Sequence, residues 1–194
     1  MRWLTGALFL VGFAALSYSV GSVIDAELYQ RQLRHAFEQQ KQSPTPTVRS
    51  SDQAFLENME IPKIGLSVMI ADGIDKTTLR RAVGHVPGTA LPGDMSNAGL
   101  AAHRDTFFRN LGSVSKGDEI LVNTRRGTFH YAVKSTEIVR PTAVRVLRPT
   151  KSPELTLITC YPFYYLGTAP KRFIVHAVLT SPDPLLVRNS RPVN

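Results

Sequence analysis

The sequence predicts a mainly β domain, a closed or nearly closed barrel rich in antiparallel pairs, behind one apolar N-terminal helix. Three observations predict it. From residue 57 onward, seven or eight short runs of Val, Ile, Leu and Thr alternate with Gly, Pro, Asn and Asp turn signals. Only two stretches among them read as helical, and both are short. Before them, residues 3–24 contain no charged side chain.

That apolar stretch, "WLTGALFLVGFAALSYSVGSVI", would reach about 33 Å as a helix, enough to cross a bilayer. A cleavable signal peptide has a shorter apolar core, so residues 1–24 are read as an uncleaved transmembrane anchor. Basic residues flank it on both sides, Arg2 before and Arg31, Arg34 and Lys41 after, so charge alone does not orient it. Residues 25–56 divide into a juxtamembrane helix with a weak stripe at Leu28, Leu33 and Phe37, and a Pro/Ser/Thr spacer, "SPTPTVRSSD". The spacer is expected to stand the domain of residues 57–180 off the membrane.

Within the domain, "MEIPKIGLSVMIADG" supplies two strands and "GLAAHR" a third. "DEILVNT" and "TFHYAVKSTEIV" make a hairpin across Arg125-Arg126-Gly127, and "ELTLITC" and "RFIVHAVLT" complete the series. The helical stretches are "DKTTLRRAVG" and "PTAVRVL", with Pro141 suited to a first helical position. Residues 181–194, with three prolines in "SPDPLLVRNSRPVN" and no periodicity, read as a disordered tail.

A net charge of +8 suits an anionic surface, but the basic residues are scattered and lack the aromatic interleaving of a nucleic-acid binder, so no nucleic-acid partner is expected. One cysteine precludes an internal disulfide, and no histidines stand at ligand spacing, so no metal and no cofactor are expected. "HRDTFFRN" matches the kinase catalytic-loop spacing. No phosphate loop and no Asp-Phe-Gly accompany it, which excludes a kinase.

Cysteine-based acyl transfer needs a thiolate, a proton donor for the leaving amine and a donor for the developing oxyanion. Alternation in "ELTLITC" puts Thr156, Ile158 and Cys160 on one face, with the thiol at the strand's end. Arg172 enters the next strand twelve residues later, and His103 ends another. Arginine keeps its proton, so its roles are to favour a thiolate or bind oxygen, never to act as base. The bland alternatives stay open at this level: a buried inert thiol, a surface arginine, an ordinary histidine. Phe163, Tyr164 and Tyr165 form either a wall for an apolar substrate residue or simple packing.

"TLITCYPF" resembles the Thr-Leu-x-Thr-Cys signature of sortases, the cysteine transpeptidases of bacterial surfaces. "GHVPGTALPGDMSNAGLAAHRDTFFRNL" and "TAPKRFIV" look like the histidine and arginine motifs of class D, and the likeness runs from about residue 61 to 179. The resemblance implies an eight-stranded sortase-type β-barrel that cleaves a sorting signal of the Leu-Pro-x-Thr type after Thr. It implies Cys160 as nucleophile, His103 as acid and base toward the leaving and incoming amines, and Arg172 as substrate and oxyanion clamp. The amine acceptor would be a cell-wall precursor or a protein subunit, and the domain would lie on the extracytoplasmic side of the cell membrane. Asp105 is a candidate to orient His103, and the spread of acids predicts no calcium site. The competing reading is a catalytically silent, membrane-tethered barrel that binds peptide or anionic cell-surface polymer.

Overall fold

The structure, a computed structural model, describes residues 2–42, 57–165 and 167–182. The spacer and the tail beyond residue 182 lie outside the described residues.

Eight strands close into a barrel: β1 (Glu57–Ile61), β2 (Leu66–Asp72), β3 (Val83–His85), β4 (Asn97–Ala101), β5 (Glu119–Thr124), β6 (Gly127–Val139), β7 (Glu154–Tyr161) and β8 (Lys171–Pro182). Their order around the barrel is β1-β2-β3-β4-β7-β8-β6-β5, with β5 returning to β1. Two neighbouring pairs, β2 with β3 and β4 with β7, are parallel and the rest antiparallel. The interior is filled by alternate residues of every strand, among them Met59, Ile70, Leu100, Val122, Leu157 and Val175. In β7 the alternation sends Leu155 and Leu157 inward and leaves Thr156, Ile158 and Cys160 outside.

Sequence periodicity missed β3 because it has three residues. Its central Gly84 is required by a close approach: a Cβ there would lie 2.2 Å from the Gly73 carbonyl oxygen. The helix α2 (Lys76–Arg81) precedes it, capped by Asp75, whose carboxylate accepts from the Thr77 and Thr78 amides at 2.8 and 3.1 Å. "PTAVRVL" forms only a single 3-10 turn, Val144–Leu147, which starts three residues beyond Pro141.

The N-terminal helix α1 (Arg2–Gln42) is continuous through the apolar stretch and the juxtamembrane segment. Its first part is long and apolar enough to cross a membrane, and its described side chains there are exposed. Its second part packs directly on the barrel. Leu33 and Phe37 are buried against Met69, Ala71 and Ala82. The β2–β3 ladder begins only at Ile70 and Val83, which leaves the preceding backbone groups without a strand partner. Gln30 supplies one: its carbonyl accepts from the Met69 amide at 2.8 Å and its amide donates to the Arg81 carbonyl at 2.7 Å. Arg81 pairs with Asp25 at 2.7 Å, and Arg34 donates to the Ser67 carbonyl. Leu33 and Phe37 of the weak sequence stripe thus form a docking face, while Leu28 stays exposed. Phe37→Ala is expected to cost about 2–4 kcal/mol of stability, read as a fall in the melting temperature of the full chain in detergent.

At the start of β1, Glu57 is 4% exposed, and its Oε2 has no hydrogen-bond partner among the described residues. Burial pushes its carboxyl up to about 9; the Arg126 guanidinium opposes this and the Asp94 carboxylate adds to it. The folded chain therefore holds a proton on Glu57 that the unfolded chain has released above about pH 4.5, so stability falls as pH rises from there toward 9. Glu57→Gln removes the ionisation. It is expected to raise stability near pH 8 by about 1–3 kcal/mol and to flatten the decline, measured by denaturation at pH 6 and pH 8.

Candidate active site

Strand register brings the three sequence-predicted groups together. Cys160 stands directly opposite Arg172 in the antiparallel β7–β8 pair. Opposed residues of such a pair share a face with Cβ atoms about 4.5–5.5 Å apart. On the other side of β7, the parallel β4 ladder sets Ala101 beside Ile158, and the Ala102 amide donates to the Ile158 carbonyl at 3.2 Å. One residue further, His103 comes level with Cys160. All three side chains are half-buried and line one cleft of about 410 Å³ on the outer face of the barrel. Thr159 points the other way and is buried, its hydroxyl donating to the Ala102 carbonyl at 2.8 Å. That bond stitches the ends of β7 and β4 where the thiol and the imidazole emerge.

Two apolar walls flank the three groups. Ile74 and Leu79 of the α2 region form one, and Pro141, Val144 and Leu147 of the β6–β7 connection form the other. Periodicity could not assign these roles, although Val144, 74% exposed at the tip of a short turn, is the kind of residue that signals a surface made for contact. The second wall is pinned from below. Asn97 donates to the carbonyls of Val146 and Arg148 at 3.0 and 3.3 Å, and Thr156 donates to Asn97 at 2.8 Å. From the side, Arg145 bonds Glu137 through two nitrogens, and His176 Nε2 lies 3.0 Å from Glu137 Oε1. The Arg145 hydrogen bond is the main reason that the Glu137 carboxyl is held below the usual carboxylate range.

Arg172 Nη1 donates to the carbonyls of Lys171 and Ala169 at 2.9 and 3.3 Å, while its Nε and Nη2 have no partner among the described residues. His103 has no side-chain hydrogen bond among the described residues. Among the described residues no hydrogen bond joins the Asp105 carboxylate to His103, and the Asp105 backbone carbonyl accepts from Arg109 at 3.2 and 2.6 Å.

Phe163, Tyr164 and Tyr165 are not among the residues that line the cleft. Phe163 packs against the barrel interior, edge-on to Tyr161 and Phe173 at 5.9 and 5.3 Å, and over Gly112, where a Cβ would meet its ring at 2.7 Å. Tyr164 is 95% exposed, and Tyr165 lies under the Arg104 guanidinium, 5.7 Å from the ring centre. Among the described residues no group of three or more His, Cys, Asp and Glu could hold a metal ion.

The family model for the sortase domain matches residues 59–180, from within β1 to within β8 and all six strands between them. The chain belongs to the sortase family. It is 40% identical to Sortase D of Bacillus subtilis over 120 residues, 61% of this chain and 60% of that protein. It therefore spans about 60% of the length of the curated relative it matches. Among solved structures, the sortase barrel superposes on a Clostridium perfringens Sortase D5 transpeptidase with a TM-score of 0.65 and 26% identity, covering 80% of this chain and 98% of that one. Sortase C-1 of Actinomyces oris follows at 0.62 and 28%, covering 81% and 86%. The Sortase D relative and the D5 structure agree with the class D motifs read from the sequence, and the closed eight-stranded barrel is that of the family.

Proposed function

We propose that this sortase is a membrane-anchored cysteine transpeptidase that cleaves a Leu-Pro-x-Thr-type sorting signal after Thr and passes the acyl group to an amine. Cys160 attacks the Thr carbonyl carbon with its thiol proton passed to His103, the C–N bond breaks, and a thioester forms. His103 gives the leaving amine its proton and later accepts one from the incoming amine, whose attack releases the thiol. Arg172 directs its free Nε and Nη2 toward the carbonyl oxygen on which charge develops. The acceptor is the amino group of a cell-wall precursor or of a second protein subunit. The apolar part of α1 holds the protein in the cytoplasmic membrane with the barrel on the extracytoplasmic side, where such signals and acceptors meet.

The observation that carries this reading is the convergence of Cys160, Arg172 and His103 from three adjacent strands onto one apolar-walled cleft. The test incubates the full chain in detergent with fluorogenic peptides built around Leu-Pro-x-Thr, with and without an added amine. Cleavage after Thr is expected, with the amine diverting product from the free acid to the amide. No cleavage of any peptide, together with salt-dependent binding to polyanions, would favour the catalytically silent barrel instead.

A further inference from the structure

Beside His103, Arg104 has no part in the chemistry above, yet it makes three hydrogen bonds to the β7–β8 connection. Its Nη1 donates to the Pro162 carbonyl at 2.9 Å. Its Nη2 donates to the carbonyls of Tyr165 and Gly167 at 2.7 and 3.0 Å, and its plane lies over the Tyr165 ring. Arg172 takes hold of the end of the same connection at the Ala169 carbonyl, and of the first residue of β8 at the Lys171 carbonyl. Two guanidinium groups thus satisfy four carbonyl oxygens of the connection and one at the start of β8.

A loop of this kind has few strand partners of its own, and its carbonyls must be satisfied somewhere. A guanidinium with five donors in a rigid fork can bond several carbonyls at once, which an ammonium cannot match. The bonds also run from the chain just after β4, so the loop is fastened to the element that carries His103. Arg172 retains two free nitrogens only while the loop carbonyls occupy Nη1 alone.

We propose that Arg104 is a positioning residue that fixes the β7–β8 connection in its working place before a substrate arrives, and so keeps Arg172 aimed into the cleft. This rests on the transpeptidase reading for its kinetic consequence, though the clamp itself does not. Without Arg104 the connection samples other conformations, and substrate binding has to re-order it. That cost falls equally on the bound substrate and the transition state, so it raises KM and leaves kcat nearly unchanged.

The experiment compares the full chain in detergent with Arg104→Ala, using peptide turnover and amide hydrogen exchange at residues 163–165 and 167–169. KM is expected to rise by about tenfold or more, the cost of ordering as little as one or two backbone residues, with kcat within about threefold. Exchange in those amides should rise by at least about tenfold, with β1 and β5 unchanged. A variant that merely folds less well shows the opposite split, a lower apparent kcat at unchanged KM, and that result would overturn the proposal. Unchanged KM with unchanged exchange would overturn it as well. If the alanine variant does not fold, Arg104→Gln, with the fork removed but a donor kept, takes its place under the same criteria. Absence of turnover in the unaltered chain would sink the transpeptidase reading, while the exchange comparison would still decide the clamp.

Discussion

Cys160→Ala is expected to abolish peptide turnover, lowering kcat/KM by about 10⁴ or more, because the proposed reaction passes through a covalent bond to sulfur. Stability should hardly change, since the side chain ends a strand at the cleft and only part of it is buried. Cleavage assays on both proteins, with melting curves as control, give the comparison. Cys160→Ser is the sharper variant: the geometry stays, but a hydroxyl gives up its proton far less readily than a thiol, and no carboxylate hydrogen-bonds His103 among the described residues to strengthen it as a base. It should stay close to the alanine variant. Retained turnover in Cys160→Ala would end the thioester mechanism, whatever the family membership.

The fold was legible where side-chain alternation is long enough to carry a signal. β6, with thirteen residues, and β7, with eight, announce their inward and outward faces in the sequence, and the register that follows puts Cys160 against Arg172. β3 was not legible, because three residues hold no period and its place is fixed by Gly84 meeting the Gly73 carbonyl. The docking of α1 was only half legible. Leu33 and Phe37 show in the stripe, but Gln30 reads as one more polar residue until the open backbone edge that it fills can be seen.

For the candidate site, residues of distinctive chemistry are easier to read from a sequence than residues that act through shape. Cysteine, histidine and arginine at strand ends can be picked out because few residue types have their chemistry. The walls from Ile74, Leu79, Pro141, Val144 and Leu147 lie outside the strands, and the place of the second depends on Asn97, Arg145 and Glu137, three ordinary-looking polar residues. The aromatic run after Cys160 shows the same dependence on surroundings: composition left a wall and simple packing open, and Gly112 and Phe173 provide the room that draws Phe163 toward the interior. Arg104 was hidden in a motif that invited comparison with kinases, and its role becomes visible only in the carbonyls it reaches.

Arg172→Ala is expected to lower kcat by about 10² or more while KM changes less, the pattern of a donor that acts mainly on transition-state charge. The contrast with Arg104 is informative, because both guanidinium groups hold the same connection. If Arg172 served only to fasten the Ala169 and Lys171 carbonyls, its loss would loosen the loop and appear in KM. If its free Nε and Nη2 receive the substrate oxygen, the loss appears in kcat. Arg172→Lys separates charge from shape: it keeps the cation, but one ammonium cannot bond the loop carbonyls and present two parallel donors to an oxyanion at once. It should recover only part of the lost rate. A lysine variant at full rate would show that a point charge suffices, and an alanine variant altered in KM alone would return Arg172 to the loop.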